Sequence, residues 1–229
     1  MRAQRLHCTD KARIEVADVE IPSPGAGQIL VANACTAVSV GTELYVWLNG
    51  AEPGRPPSFP HPTGYCSAGT VIDKGPGVAG VEIGDRVAGQ GCHASHQLLD
   101  SLFHRIPDGV AWEDAVYLVM AAIAIRAVRK GRLTLGESLV VLGAGIVGQL
   151  ALSLSRLSGA LPAIAVDLDD SRLDHALRRG ADCAINPGTT HDVIDAVCDV
   201  CIDDGARVVI EATGKPAVYP LAVQLACSG

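Results

Sequence analysis

Aromatic side chains are scarce in this 229-residue sequence, in which Phe, Trp and Tyr together make up only 3%. Since 48% of the residues are hydrophobic, the core must be built from Val, Leu, Ile and Ala. The sequence also lacks any run of eighteen apolar residues, and Met1–Arg5 is not followed by the apolar core of a signal peptide. These absences argue against a membrane-spanning helix and predict a soluble, cytoplasmic protein.

Basic clusters are absent as well, and the formal net charge is -7. Nucleic acid and anionic membranes repel such a protein, so neither is expected as a partner. Turn residues, by contrast, are abundant: 25 Gly and 13 Pro favour short strands over a helix bundle. Of the eight cysteines, only Cys198 and Cys201 have the spacing of a metal or redox pair, and we interpret most as small buried hydrophobic residues.

The pattern of the chain changes near Trp112, and we predict two domains, 1–120 and 121–229. In the first, β-rich runs bounded by turn signals predict strands at 28–40, 67–75, 85–91 and 95–100. The Pro-rich segment 51–62 predicts an exposed loop. In the second, helical runs alternate with strands near 139–142, 163–167, 183–185 and 207–211, and a last helix covers 215–229. This alternation predicts an α/β parallel sheet covered by helices.

Two helix starts can be proposed from capping residues. Asp170 and Ser171 can open a helix that Gly180 closes, and Thr190 can open the next one.

A Gly-rich stretch, Gly143-Ala-Gly-Ile-Val-Gly148, follows the first of these strands and opens a helix. That is the context in which GxGxxG binds a dinucleotide: Gly143 permits the tight turn, Gly145 lets the backbone approach the pyrophosphate, and Gly148 allows close packing of helix and strand. The free N–H groups at the helix start then face the phosphates. The predicted cofactor-binding residues are Gly143, Gly145, Ile146, Val147, Gly148, Asp167, Arg172 and Thr213.

Asp167 lies at the end of the next strand, nineteen residues after Gly148, where a carboxylate binds the ribose hydroxyls. A 2′-phosphate would be repelled there, so NAD is favoured over NADP. Arg172 can reach the ribose edge or lie on a helix face. A Gly-rich turn without a ligand is the alternative interpretation.

The whole chain resembles the medium-chain dehydrogenase/reductase superfamily, the zinc-type alcohol dehydrogenases in the broad sense. The motifs that carry the resemblance include VGTEL (40–44), GYCSAGTVIDKGPGV (64–78), EIGDRVAG (82–89) and LGESLVVLGAGIVGQLA (135–151). It implies a GroES-like β-rich catalytic domain and a Rossmann doubly wound parallel sheet, with hydride transfer in the cleft between them. Gly-Thr-Glu, Gly-Tyr and the GCHASH segment also resemble a divergent branch near the bacteriochlorophyllide-type hydroxyethyl dehydrogenases.

The family's zinc ligands do not carry over, so the resemblance implies no metal site. The ligand positions hold Val40, Tyr65 and, near the third, Leu118, and Cys66 replaces the neighbouring Glu. Four closely spaced Cys for a structural zinc are also missing. A substitute site made from Cys66 with His93, His96 or His104 is the less favoured alternative.

Four residues are predicted to act in catalysis: Thr42, Tyr65, Glu43 and His93. Thr42 matches the family's hydroxyl relay, Tyr65 can donate a proton to a carbonyl oxygen, and Glu43 and His93 can support them. Each also has a structural interpretation: a turn-capping Thr, a ring that fills the vacated metal space, a surface carboxylate and a structural His.

The predicted function is NAD-dependent hydride transfer on an alcohol or carbonyl substrate, without zinc. A metal-free quinone-reductase-like enzyme and a non-catalytic dinucleotide-binding homologue are the alternatives. Four strands against the six of a full Rossmann fold predict a sheet that is C-terminally incomplete, with a homodimer expected if the further region is present.

Overall fold

The computed structural model describes residues 1–51, 54–100 and 102–227, in two compact units, Met1–Val119 and Met120–Gly229. The last two residues of the predicted 215–229 helix, and residues 52 and 53 of the predicted loop, lie outside the described part.

The first unit is built from antiparallel strands. They are β1 (Arg2–Asp10), β2 (Arg13–Glu20), β3 (Ile29–Thr36), β4 (His61–Pro62), β5 (Ser67–Lys74), β6 (Arg86–Gly89), β7 (His96–Leu99) and β8 (Phe103–Arg105). One sheet has the order β2-β1-β4 and the other β7-β3-β5-β6-β8. Its core consists of aliphatic side chains of the larger sheet and of Val81, which lies in the connection between β5 and β6; the strand residues are Ile29, Val31, Val71, Val87 and Leu99.

Helices α1 (Val40–Asn49) and α2 (Trp112–Ala115) complete this unit, and α3 (Leu118–Gly131) leads into the second. The predicted strand 28–40 is wrong at its end, because β3 stops at Thr36 and Val40 begins a helix. Glu43 explains the change, since its carboxylate accepts the Ser39 N–H at 2.7 Å and so caps the helix start. The predicted loop 51–62 is also wrong at its end, where His61 and Pro62 pair with β1.

The second unit contains a four-stranded parallel sheet, in the order β11-β10-β9-β12. Its elements are β9 (Leu139–Leu142), α4 (Ile146–Leu157), β10 (Ala163–Val166), α5 (Asp170–Arg178), β11 (Cys183–Ile185), α6 (Val193–Cys198), β12 (Val208–Glu211), a 3₁₀ turn (Pro216–Val218) and α7 (Tyr219–Gln224). All four predicted strands form, and their order, third-second-first-fourth along the chain, is that of the first four strands of a Rossmann sheet.

Successive side chains along the strands alternate between two cores, which is what a sheet covered on both faces requires. Val141 packs in a cluster with residues of α3, α4 and α5, whereas Val140 packs in one with residues of α6 and α7. The buried hydrophobic residues that the structure describes include no aromatic side chain, so the prediction of an aliphatic core is confirmed. None of the described helices is long and apolar enough to span a membrane.

The predicted helix starts are partly wrong. Asp169, one residue earlier than expected, caps α5, and its side chain accepts the Ser171 N–H at 2.9 Å. Thr190 does not cap α6; Asp192 does, because its carboxylate reaches the N–H groups of both Ile194 and Asp195. A carboxylate is the stronger acceptor at the positive end of a helix.

Candidate functional site

The Gly-rich loop joins β9 to α4 in a tight turn. Gly143 has φ +92°, and its N–H donates to the Val166 carbonyl at 2.7 Å. A Cβ on Gly143 would meet the Thr213 methyl at 2.9 Å, which places Thr213 against the loop. A Cβ on Gly148 would lie 1.9 Å from the Gly143 carbonyl oxygen, so only glycine allows α4 to pack this closely on the strand end.

Gly145 differs from Gly143 and Gly148 in its surroundings. It is the N-cap of α4, with φ -71°, and a Cβ built on it would meet no atom within 4 Å. No side chain caps this helix start. The open space and the uncapped N–H groups of the first turn, which includes Ile146 and Val147, together suit a phosphate group.

Asp167 follows β10 and faces the loop. Its Oδ2 accepts the Ala144 N–H at 2.7 Å, and its Oδ1 accepts the Asp169 N–H at 3.0 Å. Arg172 lies 3.7 Å from the Asp167 carboxylate and 3.6 Å from that of Asp169. Hydrogen bonds from the Ser171 hydroxyl and N–H hold the pKa of Asp169 below its ordinary value.

Thr213 follows β12, and its N–H and hydroxyl both bond Glu211 Oε1. The predicted cofactor residues therefore lie where β9, β10 and β12 end. Ligands of doubly wound sheets bind at these carboxyl ends, and the glycine geometry, the free helix start and the carboxylate fit a dinucleotide.

In the first unit, a chain of hydrogen bonds joins three of the four predicted catalytic residues. His93 Nε2 lies 2.8 Å from Glu43 Oε2, and its Nδ1 lies 2.7 Å from the Thr36 hydroxyl. Glu43 Oε1 accepts the N–H of Ser39, whose hydroxyl in turn accepts the Tyr65 hydroxyl at 2.5 Å. We call these five residues the hydroxyl–carboxylate network.

The network is largely buried. The side chains of His93 and Glu43 are 7% and 17% exposed, so Glu43 is not a plain surface carboxylate. Gly64 packs on the imidazole, since a Cβ there would lie 2.7 Å from the His93 ring. The backbone of His93 is held between Thr63 and Leu6 by two further hydrogen bonds. A buried imidazole with both nitrogens bonded and a carboxylate beside it is fixed in orientation.

Thr42 lies outside the network. It is exposed in the first turn of α1. The alternative interpretation, a Thr that caps a turn at the end of a strand, is therefore wrong in its location, because β3 ends at Thr36. Sequence reasoning missed Ser39 and Thr36. A signal for Ser39 exists, since a Ser four residues before a Glu, ahead of an amphipathic run, is close to a capping-box pattern.

The resemblance assigns the zinc-ligand positions to Val40, Tyr65 and a residue near Leu118, and this assignment stays a prediction. Val40 and Leu118 have aliphatic side chains, and the Tyr65 hydroxyl is bonded to Ser39. Cys66 is fully buried, beside Tyr65 in the chain. Within residues 1–51, 54–100 and 102–227, no three His, Cys, Asp or Glu side chains are grouped so as to hold a metal ion.

Comparison with known proteins shows which family the chain belongs to. A family model described as zinc-binding dehydrogenase matches residues 147–229. L-threonine 3-dehydrogenase of Pyrococcus abyssi is 30% identical over 92% of this chain and 68% of its own length. (R,R)-butanediol dehydrogenase of Bacillus subtilis is 26% identical over 98% of this chain and 74% of its own.

Among solved structures, a zinc-binding dehydrogenase from Sinorhizobium meliloti, bound to NADP, superposes with a TM-score of 0.87 at 23% identity. It is matched over 100% of this chain and 75% of the other. The shared fold and the length of the sequence match lead to one conclusion. The chain belongs to the zinc-type alcohol dehydrogenase, or medium-chain dehydrogenase/reductase, superfamily.

Proposed function

We propose that this protein is an NAD-dependent oxidoreductase that transfers a hydride between the nicotinamide and an alcohol or carbonyl substrate, without a catalytic zinc. The observation that carries the proposal is the open, uncapped start of α4 at Gly145, with Asp167 fixed beside the same loop. The similarity to L-threonine 3-dehydrogenase and (R,R)-butanediol dehydrogenase supports the substrate class.

NAD is preferred over NADP because of charge. Asp167 and Asp169 present two carboxylates at the end of β10, and Arg172 lies within ion-pair distance of both. The single guanidinium is thus already opposed by two negative charges. A 2′-phosphate, which brings about 1.5 to 2 further negative charges, would be repelled.

The proton half of the reaction falls to Tyr65. When hydride reaches the carbonyl carbon, negative charge develops on the substrate oxygen, and a phenol can donate its proton there as a general acid. Val40 and Tyr65 stand where the family has zinc ligands, so a hydrogen-bond donor replaces the Lewis acid in this proposal. The bound nicotinamide supplies the hydride, and Tyr65 is reprotonated from water before the next turnover.

Glu43 and His93 help to hold Tyr65 in position through Ser39. The carboxylate holds the Ser39 N–H with one oxygen and the His93 imidazole with the other, and so fixes the start of α1 relative to Tyr65. A general acid is effective only when held within hydrogen-bond reach of the reacting oxygen.

The test has a binding arm and a turnover arm. NADH and NADPH are titrated by fluorescence against the wild type and Asp167→Ser, and NADH consumption is followed with a panel of ketones, aldehydes and quinones. We expect tighter NADH binding in the wild type, and at least a tenfold loss, about 1.4 kcal/mol, in Asp167→Ser. Binding without turnover of any substrate would favour the non-catalytic alternative, and tighter NADPH binding would contradict the assignment of Asp167.

A further inference from the structure

Ser39 occupies the N-cap of α1, but its hydroxyl does not cap the helix. In α5 and α6, by contrast, the N-cap carboxylates of Asp169 and Asp192 accept N–H groups of the first turn. An N-cap serine ordinarily contributes about 1 kcal/mol by that bond. Here the hydroxyl accepts the Tyr65 phenol at 2.5 Å instead, so a local stabilising interaction is replaced by a contact 26 residues away.

The position of Ser39 is fixed independently of that contact. Its N–H donates to Glu43 Oε1 at 2.7 Å, and Glu43 Oε2 bonds the His93 imidazole at 2.8 Å. Ser39 itself is 9% exposed, and His93 is locked by Thr36 on its other nitrogen. The hydroxyl of Ser39 is therefore presented to Tyr65 by a rigid support, and water has little access to compete for it.

From this arrangement we propose that Ser39 is a positioning residue that acts through Tyr65 in the proton step of the reaction. The inference rests on the proposed function for its catalytic meaning. A hydroxyl is both donor and acceptor, so the pair can exchange roles. At rest the phenol donates to Ser39. When the phenol turns its proton toward the substrate, Ser39 can donate to the phenol oxygen.

The exchange balances in protons and electrons. The Tyr65 O–H bond breaks as its proton goes to the substrate oxygen, while the hydride and its electron pair go from NADH to the carbonyl carbon. The phenolate left on Tyr65 accepts the Ser39 O–H as a hydrogen bond, and hydrogen bonds to charged oxygen are about twice as strong as neutral ones. A proton from water then restores the phenol.

The experiment compares Ser39→Ala, Ser39→Thr and Tyr65→Phe in steady-state NADH turnover with a responding carbonyl substrate. We expect Ser39→Ala to lower kcat at least tenfold with little change in KM for NADH, and Ser39→Thr, which keeps the hydroxyl, to retain most of kcat. In the Tyr65→Phe background, Ser39→Ala should have no further effect, because the serine acts only through the phenol.

Three results would overturn the inference: an Ser39→Ala enzyme with kcat within twofold of the wild type, a Ser39→Thr enzyme as impaired as Ser39→Ala, or additive effects in the double variant. If Ser39→Ala does not fold, Ser39→Gly removes the same hydroxyl at a position where helices accept glycine.

A second readout separates this inference from the proposed function. The chain has four tyrosines, and with ¹³C at the phenol carbon the Tyr65 signal is assigned from its loss in Tyr65→Phe. We expect this signal to move in Ser39→Ala and to stay near its wild-type position in Ser39→Thr. If the wild type turns over no substrate, the proposed function fails. An unmoved Tyr65 signal in Ser39→Ala would overturn the Ser39–Tyr65 pair itself.

Discussion

Gly145 and Gly148 lie three residues apart, yet alanine at these two positions should have different effects: at Gly148 on stability, and at Gly145 on cofactor binding. On Gly148 the new Cβ would lie 1.9 Å from the Gly143 carbonyl oxygen, a backbone atom that cannot turn aside. On Gly145 it would meet nothing within 4 Å, and φ is -71°. The first substitution therefore perturbs the fold, and the second perturbs only what enters the open space.

The magnitudes follow from these contacts. Overpacking against a rigid neighbour costs about 1 to 3 kcal/mol, so Gly148→Ala should lower the free energy of unfolding by at least that amount. In a domain of this size, that corresponds to a fall in Tm of roughly 5 °C or more. Gly145→Ala loses a tolerated N-cap residue and should cost less than about 1 kcal/mol. Its affinity for NADH should nevertheless fall at least tenfold, about 1.4 kcal/mol.

The assay pairs thermal unfolding with calorimetric titration of NADH. Each variant serves as the control for the other, because one reports packing and the other reports access to the helix start. A Gly145→Ala protein that folds normally and binds NADH as the wild type does would refute the cofactor site at α4. A Gly148→Ala protein with unchanged Tm would refute the packing argument.

Two further predictions concern the helix caps and the thiols. Asp192→Ala removes a carboxylate that accepts two N–H groups, so it should lower the free energy of unfolding, measured by chemical denaturation, by about 1 kcal/mol. The control Thr190→Ala should change it by less than about 0.5 kcal/mol. Equal effects of the two substitutions would contradict the assignment of Asp192 as the cap. Burial raises the pKa of the Cys92 thiol, so its thiolate fraction at pH 8 is reduced. Mass spectrometry should therefore show that iodoacetamide alkylates Cys92 more slowly than a free model thiol, and that the rate rises with pH. Alkylation as fast as that of the model thiol would contradict the burial of this side chain.

The Rossmann half of the fold could be predicted from sequence because its signals are local. A few consecutive residues are enough to indicate each element here: the apolar runs at Leu139–Leu142 and Ala163–Val166 indicate strands, and the glycines between them indicate a tight turn. The hairpin of β1 and β2 has no comparable signal. Polar and apolar residues alternate from Arg13 to Val16, but six of the eight β2 residues are exposed, Ile14 and Val16 among them, so the alternation marks no buried face. The pairing of β2 with β1 depends on backbone hydrogen bonds rather than on side-chain pattern.

The hydroxyl–carboxylate network could be predicted from the sequence only in part, because its contacts join residues that are far apart in the chain. Glu43, Tyr65 and His93 could be named individually, but the bond between Glu43 and His93 spans 50 residues of sequence. No local pattern gives a contact of that separation. The role of Ser39 was hidden further, because an N-cap serine is expected to bond its own helix and here bonds Tyr65 instead.

Hydride transfer without a catalytic zinc can be tested by measuring turnover after metal removal. The purified protein is treated with a strong chelator, its zinc content is measured, and NADH-dependent reduction of a responding carbonyl is compared for the wild type and Tyr65→Phe. We expect an unchanged wild-type kcat with zinc well below one ion per chain, and a loss of about 100-fold or more in Tyr65→Phe, the usual contribution of a general acid. Activity that disappears with the metal and returns on adding zinc, or a Tyr65→Phe enzyme as fast as the wild type, would contradict it.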